Sequence, residues 1–211
     1  MLALACGGAR WFGPVGVLVA IACAGQSGNP ARRSTGEPAA RGERRVAFQA
    51  PSGAERELHR LINQYRAEHR LPPIPLSRSL THVAQLHVRD LHENPPAVPC
   101  NMHSWSSRGP WTPCCYTPDH AQARCMWLKP AELTNYRGFG YENSHRVAPG
   151  FQTTPQQALA SWQGSSPHRA VILNQGSWQR RPWRALGVGL FESYAVIWFG
   201  EEADPDGDWR P

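Results

Sequence analysis

Apolar residues recur at helical spacing between Ala54 and Arg70, and charged residues fill the positions between them. The apolar positions are Leu58, Leu61, Ile62 and Tyr65. This spacing predicts an amphipathic helix, which ends before the prolines that follow it. A second helix is predicted from about Ser79 to Leu91, with Ser77 or Ser79 as its N-cap.

Two further helices are predicted in the second half of the chain. Thr154, a proline and Gln157 form a capping-box start for a third helix, which continues to Trp162. The fourth helix is expected to have Ser166 as its N-cap and Pro167 as its first helical residue.

Near the C-terminus the pattern changes to two β-rich runs. Residues 186–191 and 195–199 are rich in β-branched and aromatic residues, and residues 192–194 join them as a predicted hairpin. Helices, a long loop-rich insertion, more helices and a terminal hairpin together predict an α+β fold in which helices cover a sheet.

The N-terminus is interpreted as an export signal. One arginine precedes the apolar run Val15–Ala24, which is too short to span a bilayer. Two processing routes stay open, since a small-x-small cleavage site directly precedes Cys23, a candidate for lipid attachment. We therefore expect an exported protein that is extracellular, periplasmic or anchored in the envelope. The predicted segments are a signal peptide (1–22), a disordered linker or lipoprotein tether (23–53), one folded domain (54–202) and a C-terminal tail (203–211).

The charge distribution argues against a nucleic-acid partner. Of the net charge of +6, residues 24–50 carry +3 and residues 51–211 only +2. A nucleic-acid binder concentrates basic residues on its folded domain, so we expect no nucleic acid, and membrane contact only through a lipid anchor at Cys23.

Four cysteines lie close together beyond the export signal. They are Cys100, Cys114, Cys115 and Cys125. In an exported protein such a group predicts two disulfides. A bridge between the neighbours Cys114 and Cys115 would be strained, so each is expected to pair with Cys100 or Cys125. A zinc site is the alternative, although the Cys-x-x-Cys spacing is missing.

Five motifs resemble those of the CAP superfamily and occur in the same order. The superfamily comprises cysteine-rich secretory, antigen 5 and pathogenesis-related 1 proteins, including a bacterial SCP-like extracellular branch. They are LINQYRAEHRLPPIPLSRSLTHVAQLHVRDL, MHS, YEN, SWQGSSPHRAVIL and LGVGLFESYAVIWFG. The match runs from about residue 55 to residue 201. The resemblance implies an α-β-α sandwich with a surface cleft, here with a disulfide-stapled loop insertion.

The resemblance also implies a cleft site at His103, Glu142 and His168. His168 is expected at the start of a helix, where the helix dipole favours the neutral imidazole. The family's second acidic residue is missing, because Gln163, Gly164 and Ser165 follow Trp162. His87, on the inner side of the second helix, is interpreted as a hydrogen-bonded core residue.

Three chemistries remain open for this site. Two neutral imidazoles and a carboxylate could hold Zn²⁺ or another divalent metal. Alternatively, Glu142 could hydrogen-bond both histidines in a structural cluster, or the group could act in acid–base or nucleophilic catalysis. A triad with Ser165 or Ser166 is disfavoured, because a catalytic serine usually comes from a different segment than its histidine.

The insertion from Cys100 to Tyr141 is rich in aromatic residues. These either form a small satellite core or line a cleft for a lipid, sterol-like or sugar ligand. The leading functional hypothesis is an exported CAP-domain binding protein of a bacterial envelope, whose cleft takes a hydrophobic ligand, a divalent metal or both. The alternative is a peptidase-like hydrolase that uses the same histidines and glutamate, and the sequence leaves open whether the protein is an enzyme.

Overall fold

The computed structural model of the protein describes residues 47–210. The predicted signal peptide, Cys23 and the predicted linker up to residue 46 lie outside the described residues. The helices are α1 (Gly53–Glu68), α2 (Arg78–Glu93), α3 (Ala123–Trp127), α4 (Lys129–Leu133), α5 (Pro155–Gly164) and α6 (Ser166–Ile172), and the strands are β1 (Gly140–Arg146), β2 (Ala185–Phe191) and β3 (Tyr194–Gly200). Within residues 47–210, no helix is both long and apolar enough to cross a membrane.

The three strands form one antiparallel sheet in the order β1-β3-β2. The central strand β3 is buried along its whole length, and its side chains alternate between two cores. Ala195, Ile197 and Phe199 pack against α1, α5 and α6. Tyr194, Val196 and Trp198 pack against α2, α3 and α4 on the opposite face. The sheet is therefore the middle layer of the predicted α-β-α sandwich.

Two of the four predicted helix starts follow the predicted capping chemistry. The side chain of Ser77 accepts a hydrogen bond from the backbone N–H of Leu80 at the start of α2, and Thr154 and Gln157 form a reciprocal capping box on α5. Helix α1 begins one residue earlier than predicted, because Ser52 and Glu55 form a capping box that the sequence analysis did not identify.

The predicted N-cap of α6 is wrong by one residue. Ser165 is the N-cap, Ser166 is the first helical residue, and Pro167 is the second. The side chain of Ser165 makes no capping bond and instead lies 2.8 Å from Nδ1 of His168. The hydroxyl of Ser165, which could have capped the helix, thus contacts the imidazole of His168 instead.

The described part of the predicted C-terminal tail packs on the domain. Asp204 accepts hydrogen bonds from the hydroxyl of Ser77 and the backbone N–H of Ser79 at the start of α2. The backbone N–H of Trp209 donates to the carbonyl of Leu76 over 2.7 Å. Residues beyond the predicted boundary at residue 202 therefore contribute to the same folded body.

Candidate functional site: a cleft at the sheet edge

Strand β1 places three consecutive residues at one cleft: Tyr141, Glu142 and Asn143. It is an edge strand of the sheet, and its first five residues are buried. Glu142 points to the α2 side, where it contacts His87. Asn143 points to the α6 side, where its amide donates to the carbonyl of His168 over 3.0 Å. The alternation of side chains along one strand thus links both helical layers at a single site.

The carboxylate of Glu142 bridges two histidines. Its Oε1 lies 2.5 Å from Nδ1 of His87, and its Oε2 lies 2.7 Å from Nδ1 of His103. The side chains of Glu142 and His87 are fully buried, whereas that of His103 is 20% exposed. Both carboxylate oxygens are therefore occupied by protein partners.

His87 has an acceptor on each side of its ring. Nδ1 faces Glu142, and Nε2 lies 2.9 Å from the backbone carbonyl of Ser104. Both ring nitrogens of His87 thus have a polar partner inside the core. The ring also stacks on Trp105, with centroids 4.4 Å apart. The expectation that His87 is a hydrogen-bonded core residue is confirmed, and the structure adds its contact with Glu142.

Two opposing effects act on the pKa of Glu142. Burial disfavours the ionised form, but the charge of His87 and the hydrogen bonds of His103 and His87 favour it. The balance holds the pKa of Glu142 below its usual value of 4.5. An ionised Glu142 accepts hydrogen bonds from the Nδ1–H groups of His87 and His103.

Two disulfides hold the loop that carries His103. Cys100 pairs with Cys115 and Cys114 with Cys125, one of the pairings that the sequence left open. We call residues 100–125 the stapled loop. Within it, the side chain of Asn101 accepts a hydrogen bond from the backbone N–H of His103 over 3.0 Å. The position of His103 at the cleft thus depends on covalent closure of the loop.

His168 enters the cleft from α6 on the opposite wall. Its Nδ1 contacts the hydroxyl of Ser165, and its carbonyl accepts from Asn143. Burial, together with the nearby charge of His103, lowers the pKa of His168 below 6.5, although Glu142 acts in the opposite direction. At neutral pH the ring is therefore uncharged.

The resulting cleft has a volume of about 650 Å³. Its polar lining comes chiefly from His103, Tyr116, His120, Glu142, Asn143, His168 and Gln175. Its apolar lining comes chiefly from Ala123, Met126, Trp127, Tyr141, Ala170, Val171 and Trp178. The stapled loop and α3 thus contribute aromatic and apolar groups to the cleft, while Trp105 and Tyr136 pack in the core. The aromatic insertion thus supplies both core residues and residues that line the cleft.

The donor set does not fit a metal held by three side chains. Among the described residues, no group of three His, Cys, Asp or Glu side chains is arranged to hold a metal ion. Glu142 already uses both oxygens for His87 and His103. The position that could supply another carboxylate holds Ser165. The predicted trio therefore shares one cleft without forming a metal-binding cluster.

The sequence did not reveal the contacts that three residues make at the site. The contact of His87 with Glu142 joins residues 55 positions apart, and it forms only when α2 and β1 come together in the fold. His120 lies in the stapled loop, where its Nδ1 is 2.7 Å from the hydroxyl of Tyr116. Asn143 was quoted in the YEN motif, but its role depends on α6. The contacts of Glu142 with His87 and of Asn143 with His168 have no local signal in the sequence, because they join residues 55 and 25 positions apart.

The CAP family (cysteine-rich secretory protein family) matches residues 59–179, which is more than half of the chain. The chain belongs to the CAP family. The match includes all three predicted cleft residues and all four cysteines of the stapled loop. Comparison of this CAP chain with curated proteins gave no match.

Solved structures with a similar fold come from several bacteria. An extracellular protein of Bacillus anthracis that contains an SCP domain is 19% identical, over 71% of this CAP chain and 41% of its own, with a TM-score of 0.49. A cysteine-rich secretory protein of Staphylococcus aureus is 16% identical, over 73% and 42%, with a TM-score of 0.45. An outer surface protein of Borrelia burgdorferi is 14% identical, over 73% and 96%, with a TM-score of 0.47. This chain thus spans less than half the length of the first two.

Proposed function

We propose that this protein is an exported CAP-domain binding protein of a bacterial envelope, whose cleft takes a hydrophobic ligand. The observation that carries the proposal is the mixed lining of the cleft. Trp127, Tyr141 and Trp178 supply ring surface, and polar side chains line the cleft from both the stapled loop and α6. A concave, largely apolar site with a small number of polar groups is typical of small-molecule binding.

Two disulfides support the export component of the proposal. Cys100–Cys115 and Cys114–Cys125 both lie in the stapled loop at the cleft. Disulfides form and persist chiefly in oxidising compartments outside the cytosol. The processing route stays a prediction: labelling with a radioactive fatty acid, with Cys23→Ser as control, distinguishes a lipid anchor from simple cleavage.

Ligand capture tests the binding component. Ala170 lines the cleft from α6, so Ala170→Trp should fill the cleft, whereas Ala170→Ser should leave it open. After incubation with a bacterial envelope lipid extract, mass spectrometry should find at least tenfold less lipid on Ala170→Trp than on Ala170→Ser. Equal lipid on both variants, with melting temperatures like that of the unaltered protein, would contradict a cleft ligand.

The hydrolase alternative has weaker support. Ser165 contacts His168, but Ser165 is not among the residues that line the cleft. A nucleophile must reach the bound substrate, so this pair lacks the required geometry. Hydrolytic activity that disappears in a His103→Ala and His168→Ala double variant would support the alternative.

Divalent-metal binding stays a prediction with a direct test. A metal in the cleft would have to rely on the imidazoles of His103 and His168, because the side chain of Glu142 is fully buried. Calorimetric titration with Zn²⁺ at pH 7.5 and pH 5.5 measures it. Saturable binding that weakens at the lower pH would show that imidazole nitrogens release protons to bind the ion.

A further inference from the structure

A groove separate from the cleft lies between helix α1 and the C-terminal tail. We call it the α1–tail groove. Its volume of about 510 Å³ is within the range of small-molecule sites. Its lining residues are Gly53, Arg56, Glu57, His59, Arg60, Asn63, Leu76 and Trp209. None of these residues lines the cleft beside His103 and His168, so the α1–tail groove is a second candidate site.

Hydrogen bonds hold the walls of the α1–tail groove in place. The side chain of Asn63 accepts from the backbone N–H of Ile74 over 2.8 Å and donates to its carbonyl over 3.0 Å. Nε2 of His59 lies 2.8 Å from the same carbonyl. The backbone N–H of Trp209 donates to the carbonyl of Leu76, so the tail runs beside this segment. The groove is thus formed before a ligand arrives, which lowers the entropic cost of binding.

Trp209 and Leu76 supply the apolar surface of the groove. Leu76 belongs to the core under α1, and Trp209 packs against that core while its side chain stays partly exposed. The indole of Trp209 also lies 4.7 Å from the guanidinium of Arg78, which fixes its position. An indole ring offers a planar ligand a stacking partner. The apolar part of a complementary ligand is therefore an aromatic ring.

Arg56 supplies hydrogen-bond donors that the protein does not use. Its Nη1 donates to the carbonyl of Arg210 over 2.9 Å at an exposed position. Its Nε and Nη2 make no hydrogen bond within residues 47–210. These two nitrogens form one edge of the guanidinium plane, and such an edge can bind both oxygens of a carboxylate. Arg60 differs, because its three nitrogens donate to Glu57 and Gln64.

The other charges at the groove also favour an anion. Two arginines and one glutamate give the lining a net charge of +1. Burial lowers the pKa of His59 below 6.5, although the Ile74 carbonyl and Asp208 act in the opposite direction, so the ring is uncharged at neutral pH. Asp208 lies beside the groove, and the charge of Arg78 offsets it. A carboxylate at Arg56 therefore meets an electrostatic environment that attracts it.

We propose that the α1–tail groove binds a small aromatic carboxylate, whose oxygens accept hydrogen bonds from Nε and Nη2 of Arg56 and whose ring lies against Trp209. The proposal goes beyond the function proposed for the cleft, because the two sites share no residue. An aromatic alcohol would contact Trp209 without a charge for Arg56. An aliphatic carboxylate would meet Arg56 without a ring for Trp209.

Three probes test the proposal on the full, unaltered chain. They are 2-naphthoate, 2-naphthylmethanol and octanoate, each titrated calorimetrically at pH 7.5. The alcohol keeps the ring but removes the charge, and octanoate keeps the carboxylate but removes the ring. 2-Naphthoate should bind at least about tenfold more tightly than the alcohol, as expected for charge-assisted hydrogen bonds. It should bind about threefold more tightly than octanoate, as expected for one aromatic contact.

Substitutions place the bound probe in the groove. Arg56→Gln should weaken 2-naphthoate binding at least about tenfold, because the guanidinium edge is lost. The matched control is Arg137→Gln, at an exposed arginine that lines neither site, and it should leave the affinity unchanged. Trp209→Leu should remove the preference for 2-naphthoate over octanoate. Ala170→Trp, which fills the cleft, should leave 2-naphthoate binding unchanged.

The outcomes distinguish failure of this proposal from failure of the cleft proposal. Equal binding of 2-naphthoate and 2-naphthylmethanol, or full affinity in Arg56→Gln, would overturn the groove site. Loss of 2-naphthoate binding in Ala170→Trp would also overturn it, because the probe would then occupy the cleft. Octanoate that binds as tightly as 2-naphthoate would overturn the contact with Trp209. Arg56 is partly exposed, so a melting temperature like that of the unaltered protein is expected for Arg56→Gln.

Discussion

Glu142 shows how a single side chain sets the character of the cleft. It is buried, yet its charge is stabilised by hydrogen bonds from His87 and His103. Removing one partner of a buried, hydrogen-bonded ion pair leaves the other charge buried and unpaired. This reduces the free energy of unfolding more than the loss of an exposed ion pair does. Stability and cleft chemistry therefore depend on the same carboxylate.

Replacing Glu142 by Gln should reduce the free energy of unfolding by about 3 kcal/mol at pH 7. The amide NH₂ of glutamine would face the N–H of one histidine, so one hydrogen bond becomes a donor–donor contact. Chemical denaturation measures the loss. The matched control is Glu201→Gln, since Glu201 pairs with Arg181 at a partly exposed position and should cost less than about 1 kcal/mol.

The effect of Glu142→Gln should depend on pH. Because folding lowers the pKa of Glu142 below 4.5, the unfolded chain takes up a proton at a higher pH than the folded protein does. The contribution of Glu142 is thus fully present above pH 4.5 and is lost as the pH falls through the folded pKa. The difference between Glu142→Gln and the unaltered protein should shrink in that acidic range. A constant difference down to acid denaturation would contradict the assignment.

His168 gives a second prediction from its lowered pKa. The folded imidazole should titrate below 6.5 in an NMR pH titration, because burial opposes its charge. The unfolded chain binds the proton first, so the contribution of His168 to stability is present above pH 6.5 and declines below it. His103→Gln should raise the pKa of His168, since one repulsive neighbour is removed. An unchanged value in that variant would show that burial acts alone.

Between elements, buried Arg66 connects helix α1 to the end of helix α6. Its guanidinium donates to the carbonyls of Pro72 and Ile172 and to the side chain of Asn174. Burial lowers its pKa to about 10, so it remains charged at neutral pH. The C-terminal end of α6 is thereby fixed to α1, while Asn143 fixes the position of His168 near its start.

Arg66→Leu should lower the free energy of unfolding by about 2 kcal/mol, because buried acceptors lose their donor. Arg60→Leu is the control on the same helix: Arg60 pairs with Glu57 at an exposed site, and its replacement should leave the stability nearly unchanged. Thermal or chemical denaturation compares the two variants. Similar losses for both would show that α6 does not depend on Arg66.

At the scale of the whole molecule, the sequence predicted the helices and the terminal hairpin better than the contacts in the cleft. Helix and hairpin periodicity is local, so α1, α2, α5, α6 and the β2–β3 hairpin were predicted within a few residues. Strand β1 was missed, because its polar sequence GYENSHR lacks the β-rich pattern and is buried only through tertiary contacts. The site depends on that strand, and so the contacts of Glu142 with His87 and of Asn143 with His168 could not be predicted.

The conformation of the stapled loop likewise depends on its two disulfides. Cys100–Cys115 and Cys114–Cys125 close segments with sequence separations of 15 and 11. Closure of loops of this size restricts the unfolded chain by about 3 kcal/mol per bridge. His103 lies inside the first loop, and His120 lies inside the second.

Exported, oxidised protein should therefore show no titratable thiol among these four cysteines. Two or more thiols would contradict the pairing. The double variants Cys100→Ser with Cys115→Ser and Cys114→Ser with Cys125→Ser should each lose about 3 kcal/mol of unfolding free energy in chemical denaturation. Only the first opens the segment that holds His103 against Glu142, so it should reduce lipid binding from the envelope extract more than the second. Equal binding by both folded variants would show that the remaining contacts position His103 without its bridge.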